Sequence, residues 1–234
     1  MDKKYELTSN TKEWYRHTLH RIKALKSFGD VRKGDLGGWI EGYHNLSQTD
    51  TAWVDDNAMV WNNAYVCGNA KVGDNALVYG DAQVFGDAQV YGDAQVFDHA
   101  VVIGNATVHD NAIVYDDAKV WDCVEVYDYA EVGGNAVVSD SAKVYGDSKI
   151  QGSINIREND DIKDNSSYLI FNNTWSSGRQ FVYVLSNQRW HVGCFDGTGE
   201  ELIKKAYRDS KLSGKMYEMY VHFAEQVAKA EQHN

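Results

Sequence analysis

A six-residue pattern recurs from Ala52 to Ile156 without an insertion or a deletion. Each of the eighteen hexapeptides runs small residue, variable residue, branched residue, variable residue and two turn residues. The small position is alanine in fifteen of them, and the branched position is valine in sixteen and isoleucine in two. Gly, Asp and Asn dominate the turn positions, where they tolerate positive φ angles. An amphipathic helix needs a period of about 3.6 residues, so this pattern excludes one.

The pattern predicts a short strand followed by a bend in every hexapeptide. The small and branched residues lie two apart on a strand, so their side chains point to the same side. Three strands close a triangular coil of eighteen residues, and the repeats therefore build about six coils, roughly 25–30 Å long at the usual strand spacing. Because the valine and isoleucine residues are regularly phased, they indicate a packed core rather than a disordered acidic tract.

Net charge divides the chain into three segments: +3 over residues 1–45, −14 over residues 46–160 and zero over residues 161–234. We predict an N-terminal β cap over residues 1–45, a β-helix over residues 46–162 and a C-terminal unit over residues 163–234. The two end units would cover the unpaired backbone of the first and last coils. For the C-terminal unit, binding of a partner is the alternative.

The C-terminal unit is predicted to contain three strands and two helices. The candidate strands are residues 168–171, 181–185 and 190–195. Thr198 followed by Glu201 has the spacing of a capping box, which would open the first helix. The second helix would run from Lys215 to about Glu231. Its apolar residues recur at helical spacing on one face: Met216, Tyr220, Phe223 and Val227.

Motifs outside the repeats point to a known group of proteins. The stretches Leu19–Ile22 and Gly34–Trp39 lead into the repeats, and the runs 190–195 and 197–202 follow them. Together with the repeats, they resemble the hexapeptide-repeat left-handed β-helix superfamily, and more closely its members found in phages and prophages. The resemblance implies a mainly β fold, a left-handed parallel β-helix with an N-terminal β cap and a small C-terminal α+β unit. Relatives of this fold often form trimers, and some are labelled predicted acyltransferases on fold alone.

Hydropathy and cysteine content indicate where in the cell the protein is located. There is no run of eighteen apolar residues, and no apolar stretch follows the charged start Met1–Lys4. We therefore expect neither a transmembrane helix nor a signal peptide. Together with the resemblance to phage proteins, this implies a location in the cytoplasm of a bacterial host. The three cysteines, Cys67, Cys123 and Cys194, lack paired metal-ligand spacing, so we expect no metal site and a reducing environment.

Outward residues eighteen apart should stack in columns along each side of the prism. On the first side both outward columns are apolar, and this candidate interface comprises Met59, Trp61, Leu77, Tyr79, Phe97, Ile113 and Tyr115. Ring-to-ring contacts along the sheet would alone account for stacked aromatic residues. A continuous apolar strip more often marks an interface. We therefore expect a homotrimer formed through this strip.

Two histidines in the repeats are the candidates for a catalytic base. His109 faces outward between Tyr91 and Tyr127, so membership of a ring ladder explains it equally well. His99 occupies a turn position with aspartates one coil away on each side, so a charge contact at the corner explains it. Their spacing of ten residues does not match the ladder, which argues against a zinc site shared by the two.

The sequence leaves two functions open. An acyl-CoA acyltransferase of the hexapeptide type needs a pocket wall and a basic site for the coenzyme phosphates. No loop interrupts the repeats, the body is acidic, and basic residues gather only near the last coils. The favoured interpretation is a non-enzymatic scaffold without a cofactor, encoded by a phage, that binds a host protein such as a defence factor. Its acidic edges would repel nucleic acid and attract a basic protein surface.

Overall fold

The structure is a computed structural model that describes residues 3–231, and it is built around a parallel β-solenoid. Before the solenoid, an antiparallel hairpin of β1 (Tyr5–Trp14) and β2 (His17–Ala24) is followed by β3 (Leu36–Ile40), which pairs with β2. The chain then forms nineteen short strands: β4 (Trp53–Val54), β5 (Met59–Val60), β6 (Tyr65–Val66), β7 (Lys71–Val72), β8 (Leu77–Val78), β9 (Gln83–Gly86), β10 (Gln89–Val90), β11 (Gln95–Val96), β12 (Val101–Gly104), β13 (Thr107–Val108), β14 (Ile113–Val114), β15 (Lys119–Val120), β16 (Glu125–Val126), β17 (Glu131–Val132), β18 (Val137–Val138), β19 (Lys143–Val144), β20 (Lys149–Ile150), β21 (Asn155–Ile156) and β22 (Asp161–Ile162).

Successive strands belong in turn to three parallel sheets, which form the three sides of the prism. The first face contains β3, β5, β8, β11, β14, β17 and β20, the second β6, β9, β12, β15, β18 and β21, and the third β4, β7, β10, β13, β16, β19 and β22. A bridge from Leu46 to Val66 adds a seventh level to the second face. The predicted parallel β-helix is therefore confirmed, with seven coils rather than six. Its left-handed sense stays a prediction.

The additional coil escaped the repeat count because its register differs. Ile40 pairs with Val60 and Leu46 with Val66, each twenty residues apart, whereas later partners such as Lys71 and Gln89 lie eighteen apart. Two extra residues therefore lie before Ala52, where the regular pattern begins. The segment from β3 onward is thus coil as well as cap.

Side chains of the small and branched positions form the core. From Ala52 to Ile156 every residue of both positions is buried, including the exceptions Val124 and Ile154. The same core continues into the end units, because Tyr5 and Ile22 belong to it at one end and Val182 at the other. The hydrophobic core is therefore continuous from the N-terminal segment through the solenoid into the C-terminal unit.

The chain bends at the same position of every hexapeptide. The first turn residue of every hexapeptide has a positive φ, from Asp56 (φ 48°) to Glu158 (φ 54°), whereas the second turn residue does not. Gly, Asp and Asn occupy this position everywhere except at Glu158. These three residue types adopt positive φ at the lowest cost, so they determine where the chain can bend.

The C-terminal unit is an antiparallel sheet covered by two helices. Its strands are β23 (Tyr168–Asn172), β24 (Gln180–Val184), β25 (Arg189–Val192) and β26 (Phe195–Gly197), and its helices are α1 (Gly199–Asp209) and α2 (Lys211–Glu231). The third predicted strand is in fact two strands, because a tight turn with Gly193 at φ 60° divides it. The capping box of Thr198 and Glu201 is confirmed.

The apolar residues predicted on one face of α2 do not form its buried face. The buried residues of this helix are Tyr217, Val221, Ala224 and Ala228, which pack against Phe181 and Trp190 of the sheet. Phe223, which the helical spacing placed on the apolar face, is 53% exposed. The alanines contribute little to an apolar periodicity, so the sequence pattern followed the larger residues beside them.

A buried polar cluster joins the last corner of the solenoid to the C-terminal sheet. Asp160 accepts hydrogen bonds from the Arg157 backbone N–H at 2.8 Å and from the Asn187 side-chain amide at 2.6 Å. The Nε2 atom of His191 lies 2.8 Å from a carboxylate oxygen of Asp160. Both the Asp160 and His191 side chains are fully buried.

Replacing Asp160 with alanine should lower the free energy of unfolding by about 2–4 kcal/mol, because buried donors would lose their acceptor. Chemical denaturation measures this change. The matched control is Asp147→Ala at an exposed turn position, which should change the free energy by less than about 0.5 kcal/mol. Equal stability of the two variants would contradict the role assigned to the cluster.

The inward register can be tested with two adjacent residues of β9. Val84 is fully buried and Gln83 is exposed. Val84→Asp would bury an unpaired carboxylate and should cost on the order of 3–5 kcal/mol of unfolding free energy. Gln83→Asp should cost less than about 1 kcal/mol. If denaturation curves show the same loss for both, the assignment of inward and outward sides is wrong.

Candidate functional site

The predicted aromatic strip on the first face exists as a ladder of stacked rings. Ring centroids are 4.5 Å apart between Trp61 and Tyr79, 4.8 Å between Tyr79 and Phe97, and 5.6 Å between Phe97 and Tyr115. The planes of successive rings deviate by 7–17°. Such offset stacking stabilises the sheet by itself. Ladder contacts therefore account for the ring spacing, whether or not a second copy also covers the strip.

The beginning of the strip is covered by the same chain. Met59 and Trp61 are each only 5% exposed, because they form a cluster with Leu19 and Trp14 of the N-terminal hairpin. The sequence analysis predicted both residues at a subunit interface, because it did not predict that the hairpin covers them. The part of the strip that remains open to a partner begins at Tyr79 and its neighbour Leu77.

The open part of the strip spans three coils. Its half-exposed residues are Leu77, Tyr79, Phe97, Ile113 and Tyr115. At its far end, the ring of Tyr115 lies over Gly133, where an added Cβ would clash with the ring. Glu131 and Lys149 form an ion pair at 2.8 Å beside this end. The apolar surface is therefore bounded by the hairpin on one side and by charge on the other.

A second ring ladder, on the third face, accounts for His109. The imidazole stacks between Tyr91, at 4.9 Å and 6°, and Tyr127, at 5.2 Å and 2°. Tyr145 continues the ladder at 4.9 Å. His109 Nδ1 also lies 3.0 Å from a carboxylate oxygen of Asp110. Both faces of the imidazole are thus covered, as the ladder interpretation predicts.

His99 lies at a corner, as the sequence predicts. Its Nε2 is 3.5 Å from Asp81 and its Nδ1 is 3.9 Å from Asp117, one coil away on either side. The side chain is 66% exposed. At these distances and this exposure, the two contacts contribute little to stability. The structure does not bring His99 and His109 into one site.

A groove that the sequence analysis missed lies between the N-terminal cap and the third face. A tight turn, closed by reciprocal backbone hydrogen bonds between Phe28 and Val31, projects over the first coils. Phe28 packs edge-on against Trp53 at 5.4 Å, which anchors the turn. The groove encloses about 810 Å³. No repeat position signals it, because one wall comes from outside the repeats.

The lining of this groove is acidic. Six carboxylates face it: Asp30, Asp35, Asp55, Asp56, Asp74 and Asp87. Among the lysines and arginines, only Lys71 lines it, and Lys71 is paired with Asp30. That ion pair lowers the pKa of the Asp30 carboxyl group by hydrogen bonding and charge. A cationic ligand would therefore meet a favourable potential here.

The C-terminal unit exposes a small apolar pocket of about 350 Å³, lined by Phe171, Met216, Met219, Tyr220 and Phe223.

Within the same unit, His191 is buried whereas Cys194 is exposed. Cys194 lies in the turn between β25 and β26 rather than on the strand of His191, so the spacing argument from a single strand does not apply to this pair. Residues 3–231 contain no group of three or more His, Cys, Asp or Glu side chains placed to hold a metal ion. Among the helices in that range, none is long and apolar enough to cross a membrane.

Comparison with known proteins agrees with the fold. The family described as YdcK Beta solenoid repeat matches residues 94–110, which span nearly one full coil. The matched segment includes Phe97 of the first face and His109 of the third. A comparison with curated proteins finds no match. The chain is thus similar to a β-solenoid repeat family over one coil, and this likeness concerns architecture.

Proposed function

We propose that the protein is a non-enzymatic binding scaffold, which assembles as a homotrimer through the first face and presents its acidic surfaces to a basic partner protein. The observation that carries the proposal is the open strip on the first face. Its rings and the aliphatic residues Leu77 and Ile113 form one half-exposed apolar surface over three coils. Burial of such a surface is the main driving force for association.

The first face is better suited to self-association than the other two. On the third face, the column beside the ring ladder is polar, and Lys143 pairs with Glu125 at 2.9 Å. On the second face, Gln83 and Lys119 interrupt the apolar residues. Desolvating such groups in an interface costs free energy unless each finds a partner. Within the open strip of the first face, Gln95 is the only polar side chain.

Charge supports a basic protein as the partner. The repeat segment carries a net charge of −14, and much of it lies at exposed corner aspartates such as Asp98 and Asp116. Rows of like charge along the corners attract a basic protein surface and repel nucleic acid. Because the sequence resembles phage hexapeptide-repeat proteins, we propose that this partner belongs to the bacterial host, with a defence protein as the specific hypothesis.

Assembly is tested by placing charge in the strip. The double variant Tyr79→Asp with Phe97→Asp should sediment as a monomer and keep its β-sheet circular dichroism, because both side chains point away from the core. The wild type should sediment as a trimer at micromolar concentration.

The control variant places the same two charged residues on the third face. Tyr127→Asp with Tyr145→Asp removes two adjacent rings of the third-face ladder and should leave the trimer intact. A wild-type protein that sediments as a monomer would refute the assembly proposal. Dissociation by the control variant as well would refute the choice of face.

A further inference from the structure

The ring ladder of the third face ends inside the groove, at Tyr91. Its column runs Asp55, Gly73, Tyr91, His109 and onward, with one residue from each coil. At Gly73 an added Cβ would meet no atom within 4 Å, and its φ is not positive. A side chain is therefore sterically allowed there, yet the position is open. Gly133 on the first face differs, because the Tyr115 ring fills the space above it.

The open position is a gap bounded by a ring and a carboxylate. Tyr91 stacks on His109 with one ring face, and Gly73 lies one coil away on the opposite side. Asp55 lies one coil beyond Gly73. Coils are spaced by about 4.8 Å, so Asp55 and Tyr91 are separated by roughly 10 Å along the column. One planar group fits between them at ordinary stacking distance.

The gap opens into the acidic groove, where neighbouring carboxylates are held in place. Asp55 accepts a hydrogen bond from the Asp56 backbone N–H at 2.9 Å, and Asp74 accepts one from Gly92 at 3.0 Å. On the opposite wall, Asp35 accepts one from the Arg32 backbone N–H at 2.7 Å. A carboxylate has two acceptor oxygens, so an anchored group can still bind a cation. The tight turn with Val31, together with Leu36 at the start of β3, forms the opposite wall.

We propose that this gap binds the guanidinium group of an arginine side chain from a protein partner. Guanidinium is planar and cationic, stacks on a tyrosine ring and forms paired hydrogen bonds with carboxylates. An ammonium group matches the charge but not the planar gap, and a neutral ring matches the gap but not the charge. The proposal deepens the proposed function and rests on it in one respect, that the partner is a basic protein.

The minimal probe is N-acetyl-arginine N-methylamide, and its matched control is the citrulline analogue, which has nearly the same shape without the charge. Saturation-transfer NMR with the full chain should detect the arginine compound in the millimolar range. Citrulline and the lysine analogue should bind at least about fivefold more weakly. Equal binding of arginine and citrulline would overturn the proposal, because the gap would then recognise shape alone.

Two variants locate the site. Gly73→Tyr should add one ring to the ladder, fill the gap and abolish binding, while the protein keeps or gains thermal stability through the new stack. Tyr91→Ala should weaken binding about five- to tenfold by removing the platform. The control Tyr145→Ala shortens the same ladder at its distant end and should bind the arginine compound as the wild type does. Undiminished binding to a folded Gly73→Tyr variant would overturn the site.

This experiment stands apart from the test of assembly. If the wild type is monomeric but binds the arginine compound through Gly73 and Tyr91, the trimer fails and the arginine site survives. If the protein is a trimer but does not distinguish arginine from citrulline, the arginine site fails and the assembly survives.

Discussion

The structure depends on one backbone constraint, a positive φ at every sixth residue. Each such corner turns the chain to the next face and brings the following alanine and valine to the inside. Corners also stack on corners: the backbone N–H of Asp81 donates to the carbonyl of Asp98 at 2.7 Å, and Asp93 donates likewise to Asp110. A shift of one residue would turn the valines outward. The fixed period therefore controls the core and the outer surface together.

Because each coil has eighteen residues, the outer surface is organised into columns. A single residue type repeated down a column becomes a ladder, as in Tyr127 and Tyr145. A single exception becomes a local feature, as in Gly73. Binding properties can thus be read from a column in which one member differs from its neighbours. Both proposals for this protein rest on such columns, one continuous and one interrupted.

The sequence predicts well whatever the period controls. The burial of Ala94 and Val96, the stacking of His109 and the corner contacts of His99 all follow from counting by six and eighteen. The capping box at Thr198 was also predictable, because its signal is local. In these cases the residues that determine the structure lie within one or two coils of each other.

Features that join the repeats to other segments were not predictable in this way. The cover of Trp61 by Leu19 and the groove wall at Val31 depend on how the N-terminal hairpin folds back. The pairing of Asp160 with His191 joins segments that no period connects. The seventh coil was missed because two extra residues shift its register.

The most direct test of the account is hydroxyl-radical footprinting of the aromatic side chains across a range of protein concentrations. If the first face is the interface, Phe97 and Tyr115 become protected as the concentration rises through the association range, while Tyr127 and Tyr145 on the third face react equally throughout. Reactivity of Phe97 that does not change with concentration, or protection confined to the third face, would contradict it.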